Sequence, residues 1–273
     1  MRMPPVVASR LRATDVRHFA GDSTFHQVAR AVCTADAAIA RKELPECWAM
    51  AERIHDEFWR SAEPPRRVVD VAADHGLLGY FLLALCCQAR TPLPVVYAVD
   101  ERMPASACKL RDAFGEAFPR LRAQHRYIVG DARDVEATSD TLVAGLHACG
   151  GLSDIVIDVA LEGSSALALV PCCHSTKILH DAAAAANVGL DEAIDAARAR
   201  RLAAAGWAVE RGVLCSPEIT PKNGLILARP SAVTAVEPRP LYPRSLPPLS
   251  FGWRGVVRGS DKCILIASML MPL

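Results

Sequence analysis

The stretch RVVDVAADHGLLGYFLLALCCQARTPLPVVYAVD, residues 67–100, decides the fold class of this 273-residue chain. It predicts a buried strand at 67–73, an apolar helix at 76–89 and a second strand at 94–100. Both strands are almost continuously apolar, which is typical of parallel strands that helices cover on both faces. A strand–helix–strand unit of this kind is the repeating element of a doubly wound sheet.

The same alternation of strands and helices continues along the chain. Strands are predicted at 125–132, 141–148, 165–171, 207–214 and 223–228, and helices at 104–116, 152–161 and 190–205. Residues 66–230 are therefore predicted to form a Rossmann-like, doubly wound α/β core, with a mostly parallel sheet and helices on both faces.

Two segments flank this predicted core. Residues 1–65 are predicted to form a helical extension, because residues 23–60 show helix-like spacing that Pro45 interrupts. Residues 231–273 begin as a proline-rich connection, which we expect to be exposed. They end in an apolar segment, 261–270, that is predicted to form another strand.

Composition narrows the class of protein. Hydrophobic residues make up 51% of the chain, which is enough for a sizeable core and excludes global disorder. Since no apolar run approaches about 18 residues, no membrane-spanning helix is predicted. The ten cysteines include two adjacent pairs in apolar segments, which predicts buried, reduced thiols and an intracellular, cytoplasmic protein. The net charge of +1 does not favour broad capture of nucleic acid, and organelle targeting and the oligomeric state stay open.

Polar residues follow the predicted strands, at the edge where open α/β sheets bind ligands. Asp100 closes the second strand, where a carboxylate can accept two hydrogen bonds from ribose hydroxyls. Asp131 follows the third strand and can accept a hydrogen bond from an exocyclic amine. Together they predict a nucleoside-containing cofactor, although each aspartate alone could be a turn residue or a helix cap.

The residues after the first three strands resemble a known family. DVAADHG (70–76), followed by YAVD (97–100) and VGDA (129–132), resembles the class I S-adenosylmethionine-dependent methyltransferases. LVAGLHACGGLSD (142–154) and ALALVPCCHS (166–175) resemble the branch that contains the Trm13-type tRNA 2′-O-methyltransferases and the methyltransferase-like 25 proteins. Members of that branch pair an H-x-C-G segment with a later C-C-H segment. The resemblance implies S-adenosylmethionine as the cofactor and, by analogy with the tRNA enzyme, RNA as the substrate.

The resemblance also assigns roles to individual residues. It places Asp70, Ala72, Asp74 and Gly76 around the methionine part of the cofactor, Asp100 at the ribose, and Asp131 and Ala132 beside the adenine. The family's turn reads D-x-G-x-G-x-G, so Ala72 and Asp74 stand where the first two glycines are expected. Glycine there permits unusual backbone angles and close approach of a ligand. The alternative function is therefore a non-catalytic binding module, and the direction of the Asp74 side chain discriminates between the two.

The fourth and fifth predicted strands would bring a group of cysteines and histidines together. Its members are His147, Cys149, Cys172, Cys173 and His174. The cysteines could simply be buried core residues. We favour a methyl-transfer site, in which His147 or His174 accepts the proton of the acceptor and Cys172 and Cys173 lie beside it. A zinc site is the third interpretation, and we predict none, because adjacent cysteines are expected to point apart and the spacing is unusual.

A second candidate contact surface lies near the end of the chain. Four arginines and two aromatic residues could contact a nucleic acid: Arg239, Arg244, Arg254, Arg258, Tyr242 and Trp253. An exposed proline-rich loop is the simpler interpretation of the same segment.

Overall fold

A computed structural model describes residues 10–174 and 189–231 of the chain. The proline-rich connection beyond residue 231, the predicted strand at 261–270 and the arginine-rich surface lie outside the described residues. The domain boundaries after residues 65 and 230 stay predictions. Within the described ranges, no helix combines the length and the apolarity that crossing a bilayer requires.

The described strands form one seven-stranded sheet in the order β3-β2-β1-β4-β5-β7-β6. The strands are β1 (Arg67–Val71), β2 (Val95–Asp100), β3 (His125–Val129), β4 (Thr141–Cys149), β5 (Ala166–Cys172), β6 (Trp207–Val213) and β7 (Gly224–Pro230). The first five strands pair in parallel, whereas β7 is antiparallel to both β5 and β6. The predicted fold class, a Rossmann-like and mostly parallel sheet, is confirmed.

Within the described ranges, six α-helices surround the sheet. They are α1 (Thr24–Thr34), α2 (Glu43–Phe58), α3 (Leu77–Ala89), α4 (Ala105–Ala117), α5 (Leu152–Gly163) and α6 (Leu190–Ala204). Successive side chains of a strand point to opposite faces, so Val68 and Leu142 belong to one apolar cluster and Val69 and Val143 to another. The first cluster contains residues of α1 to α4, and the second contains residues of α5 and α6. Helices therefore cover both faces, which explains the continuous apolar runs.

The cysteine pairs are less buried than predicted. Cys86 and Cys172 are buried, but Cys87 and Cys173 are exposed. In α3 the reason is geometric, because consecutive helical residues lie about 100° apart around the axis and only one can face the core. None of the nine cysteines that the structure describes forms a disulfide.

Candidate functional site

The turn between β1 and α3 keeps a glycine-like backbone although two glycines are replaced. Ala72, Asp74 and Gly76 have φ values of 58°, 45° and 70°. These left-handed conformations cost a non-glycine residue about 1–2 kcal/mol, although aspartate tolerates them better than most. Glycine is required at the third position, since a Cβ at Gly76 would lie 3.0 Å from His125 Cε1. The two substituted residues thus adopt backbone angles that glycine adopts without strain.

The Asp74 side chain points out of the turn. It is 68% exposed, and its Oδ2 lies 3.3 Å from His75 Nε2. Its backbone is fixed on both sides, because the N–H donates to Asp100 Oδ2 at 3.0 Å and the carbonyl accepts from the Tyr127 hydroxyl at 2.7 Å. Most of the carboxylate is therefore in solvent.

Two further predicted cofactor residues differ in their surroundings. Asp70 is only 3% exposed, and burial, with a smaller contribution from the Asp100 carboxylate, raises the pKa of Asp70 to about 7. Asp100 is half-buried and uses one carboxylate oxygen for the Asp74 N–H, which leaves acceptor capacity on the other oxygen.

Asp131 and Ala132 lie just beyond β3, which ends at Val129 and is therefore shorter than the predicted strand at 125–132. Asp131 caps the short 3₁₀-helix Ala132–Asp134 by accepting the backbone N–H of Arg133 at 2.8 Å. Its second oxygen pairs with the Arg133 guanidinium at 2.9 Å in an exposed setting. Asp131 therefore acts as a helix cap, and its carboxylate is still accessible from solvent.

A cavity of about 250 Å³ lies beside this turn. Its charged and titratable lining comes from the start of α2, from the turn and from β4: Lys42, Glu43, Glu46, Asp70, Asp74, His75 and His147. Four of these side chains are carboxyl groups and one is a lysine. The lining therefore suits a ligand that carries positive charge.

The contribution of α2 was missed by the sequence analysis, which assigned no site residue to the helical extension. Glu46 is 1% exposed and lines the cavity. The sequence does contain a signal for this role of Glu46. Glu46, Met50 and Ile54 follow one another at helical spacing, so they lie on the same buried face of α2. An acid on such a face indicates a polar partner, and the partner comes from β4.

His147 meets that acid across the cavity. A register shift between Leu146 and Ala148 and a φ of 60° at His147 interrupt β4 there. His147 Nε2 lies 3.3 Å from Glu46 Oε1, and the same oxygen lies 3.5 Å from Lys42 Nζ. The carboxylate is at ion-pair distance from the imidazole, and Nε2 has no hydrogen-bond partner among the residues that the structure describes.

His174, the other predicted catalytic histidine, lies in a buried ionic network instead. Its side chain is 3% exposed, with Nε2 2.7 Å from Asp195 Oδ1 and Nδ1 3.4 Å from Asp191 Oδ1. Asp195 is shared with Arg198, whose guanidinium also pairs with Asp154. His174 is not among the described residues that line the cavity. The structure thus separates the two histidines.

Three cysteines form a cluster at the ends of β4 and β5. Cys149 Sγ lies 2.7 Å from Cys172 Sγ and 3.4 Å from Cys173 Sγ, and the remaining pair of sulfurs is 3.7 Å apart. The expectation that Cys172 and Cys173 point apart is wrong, because a φ of 53° at Cys173 turns its side chain back. Burial raises the pKa of both Cys149 and Cys172.

Comparison with known proteins identifies the class. The model of a family described as "Methyltransferase domain" matches residues 41–177, half of the chain. The chain therefore belongs to the methyltransferase-domain family, which confirms the class to which the resemblance pointed. The narrower resemblance to the Trm13-type branch stays a prediction. No curated protein sequence matches the chain at a significant level.

Solved methyltransferase structures are similar at low identity. An O-methyltransferase family protein from Burkholderia thailandensis is 14% identical, with a TM-score of 0.42, and the match covers 81% of this chain and 64% of that one. This chain thus spans less than two thirds of that relative. The magnesium protoporphyrin IX methyltransferase from Synechocystis, with bound S-adenosylhomocysteine, is 14% identical over 80% of this chain and 94% of that one, with a TM-score of 0.42. The ribosomal protein L11 methylase from Lactobacillus delbrueckii is 13% identical over 67% and 78%, with a TM-score of 0.39. Likeness at this level carries no conclusion about activity.

Proposed function

We propose that this chain is an S-adenosylmethionine-dependent methyltransferase, with the cofactor at the carboxyl ends of β1 and β2. Membership of the methyltransferase-domain family supports the activity and S-adenosylmethionine as the cofactor. The observation that carries the proposal is the backbone of the turn, which is left-handed at Ala72, Asp74 and Gly76. Backbone strain outside glycine clusters at ligand-binding sites, which supports a ligand at this turn.

The charge of the cavity supports the same cofactor. S-adenosylmethionine supplies an activated methyl group on a positively charged sulfonium, and its amino-acid part carries an ammonium group. The carboxyl groups of Glu43 and Glu46 line the cavity and favour such a cation, and the cation would in turn favour the ionised form of Asp70. The cavity is smaller than the roughly 300–1,000 Å³ of typical ligand sites, so it accommodates part of the cofactor. The remainder then lies along the open edge beside Asp100.

The roles that the resemblance implies are compatible with these positions. Asp100 has an oxygen left to accept the ribose hydroxyls, and Asp131, beyond the next strand, is open to an adenine amine. Asp74 meets the cofactor through its backbone, because its carboxylate is mostly in solvent.

His147 is the residue that we propose as the proton acceptor. It lines the same cavity as the cofactor turn, whereas His174 is enclosed by Asp191 and Asp195. A hydroxyl or amine acceptor beside His147 would transfer its proton to the imidazole as the methyl group arrives. Glu46, 3.3 Å from Nε2, would hold the ring and balance the charge that forms.

The geometry of the turn also bears on the alternative, a non-catalytic binding module. That alternative requires the Asp74 side chain to fill the methionine pocket, but the side chain is 68% exposed. The observed direction therefore favours the enzyme.

Calorimetric titration with S-adenosylmethionine and S-adenosylhomocysteine tests the cofactor site. We expect binding in the micromolar range for the full chain and its loss in Asp100→Ala. Glu101→Ala is the matched control, because Glu101 is exposed and its replacement removes the same charge one residue further along the chain. Absence of binding at millimolar cofactor in the wild-type chain would sink the proposal.

For the acceptor we propose RNA, on the resemblance of GLHACGG (145–151) and VPCCHS (170–175) to the Trm13-type branch. Transfer of labelled methyl groups from the cofactor to total RNA, protein and small-molecule fractions tests it, with His147→Ala as the background. We expect label in RNA. Label in another fraction would refute the RNA acceptor and leave the methyltransferase activity established.

A further inference from the structure

The cysteine cluster is a feature that the proposed methyl transfer does not use. Its three sulfurs come from the ends of two adjacent strands, and all lie within 4.8 Å of one another. Cys172 is buried, while Cys149 and Cys173 are exposed, so the cluster is open to solvent on one side. The described lining of the cavity does not include these cysteines. The cluster is therefore separate from the cofactor turn.

The backbone around the cluster is distorted in a way that brings the sulfurs together. His147, Gly150 and Cys173 all have positive φ values, of 60°, 58° and 53°. A regular strand would point consecutive side chains to opposite faces, so Cys172 and Cys173 could not share a ligand. The left-handed conformation at Cys173 removes this obstacle, and such strain outside glycine is concentrated at functional sites.

Surrounding hydrogen bonds hold the cluster in place. The Gly150 N–H donates to the carbonyl of Cys172 at 3.0 Å, which ties the loop after β4 to the end of β5. Arg198, whose side chain is 3% exposed, donates to the carbonyl of Gly150 at 2.9 Å. The Cys172 thiol donates to the carbonyl oxygen of His147 at 3.3 Å, a contact that is lost when the thiol ionises. The first two contacts fix the backbone that carries Cys149 and Cys173.

We propose that Cys149, Cys172 and Cys173 bind a zinc ion through their three thiolates, with the fourth coordination position facing solvent. Zinc accepts tetrahedral sites rich in cysteine with Zn–S bonds of about 2.3 Å, which separates neighbouring sulfurs by about 3.8 Å. Two of the three separations, 3.4 and 3.7 Å, are already near that value, and the 2.7 Å pair has to open. Binding releases the three thiol protons, and the exposed side admits water or another ligand as the fourth partner.

Metal analysis and cobalt titration of the full chain test this site. The chain is purified under reducing conditions without added metal and is expected to contain about one zinc per chain. After removal of the metal with a chelator, Co²⁺ should produce the charge-transfer absorption of thiolate ligands, and zinc should abolish it. Cys149→Ser and Cys173→Ser should each weaken metal binding by at least about 100-fold. Cys87→Ser is the control, because Cys87 is an exposed cysteine in α3, and it should bind like the wild type.

Three results would overturn the proposal. The first is a wild-type chain that neither contains zinc nor shows thiolate-to-cobalt absorption. The second is binding of metal by Cys149→Ser and Cys173→Ser as tight as that of the wild type. The third is a Cys149–Cys172 disulfide in protein purified separately without reductant, which non-reducing mass spectrometry detects. Thermal melting of each variant shows whether it is folded. Cofactor binding is measured separately, so a failure of the methyltransferase proposal would not be mistaken for a failure of the zinc site.

Discussion

The carboxylate of Asp100 accepts the backbone N–H of Asp74 at 3.0 Å, which links the end of β2 to the turn after β1. One residue of the predicted cofactor site therefore holds another in its left-handed conformation. The turn depends on this acid before any ligand is present.

Replacing Asp100 should separate its structural role from its binding role. Asp100→Ala removes the acceptor of the Asp74 N–H and should lower the free energy of unfolding by about 1 kcal/mol. Asp100→Asn keeps a carbonyl oxygen for that N–H and should lower it less, while still losing most cofactor affinity. Urea denaturation and calorimetry measure the two effects. Unchanged stability in Asp100→Ala would show that the hydrogen bond contributes nothing.

Restoring a glycine at position 74 should change cofactor binding little. Asp74→Gly removes a carboxylate that is 68% exposed and keeps the N–H that Asp100 accepts. We expect the affinity for S-adenosylmethionine to change by less than about tenfold, since an exposed charge is screened by solvent. An increase larger than tenfold would mean that the carboxylate obstructs the cofactor and would favour the binding-module alternative.

Asp70 should make stability depend on pH. Its folded-state pKa is about 7 against an ordinary 3.8, so the fold prefers the neutral carboxyl. This preference makes its full contribution to the free energy of unfolding below pH 3.8, and the contribution is lost as pH rises through 7. Asp70→Asn should therefore match the wild type near pH 4 and exceed its free energy of unfolding at pH 8, by on the order of 3–4 kcal/mol. Denaturation curves across that pH range measure the difference, and a constant difference would rule out titration of Asp70.

His147 should affect turnover more than cofactor binding. In His147→Ala the loss of the proton acceptor should lower kcat by about 10²–10⁴-fold. Glu46→Gln removes the negative charge 3.3 Å from Nε2 and should have a smaller effect in the same direction. Methyl transfer to the acceptor fraction and calorimetry with S-adenosylmethionine give the two quantities. A parallel loss of cofactor affinity would place His147 in the cofactor site instead.

His174 should show the opposite behaviour. His174→Ala leaves Asp195 with Arg198 alone in a buried network, which should lower the free energy of unfolding by about 1–3 kcal/mol. We expect kcat per folded molecule to stay near the wild-type value. Urea denaturation and methyl-transfer rates on the same preparation compare the two, and a stable but inactive variant would return His174 to the list of catalytic candidates.

Much of the fold and part of the candidate site could be predicted from the sequence. Continuous apolar runs separated by helix-length segments predict a covered parallel sheet, because only a strand buried on both faces is apolar at every position. The carboxyl ends of parallel strands meet at one edge, so Asp70, Asp100 and Asp131 could be assigned to a shared ligand edge from their positions alone. The same argument predicted that the segments around Cys149 and Cys172, at the ends of neighbouring strands, lie close together.

Side-chain direction could not be predicted, and it decides the chemistry. Glu46 faces His147 only because α2 packs onto α3, and no local pattern encodes a contact between residues so distant in the sequence. Asp74 points to solvent and Cys173 turns toward Cys149 because both have left-handed backbones, which sequence spacing does not specify for residues other than glycine. Local periodicity is enough to predict the sheet and the edge at which ligands are expected. The side chains that meet at this edge depend on backbone angles and on packing between distant segments, so they are visible only in the folded chain.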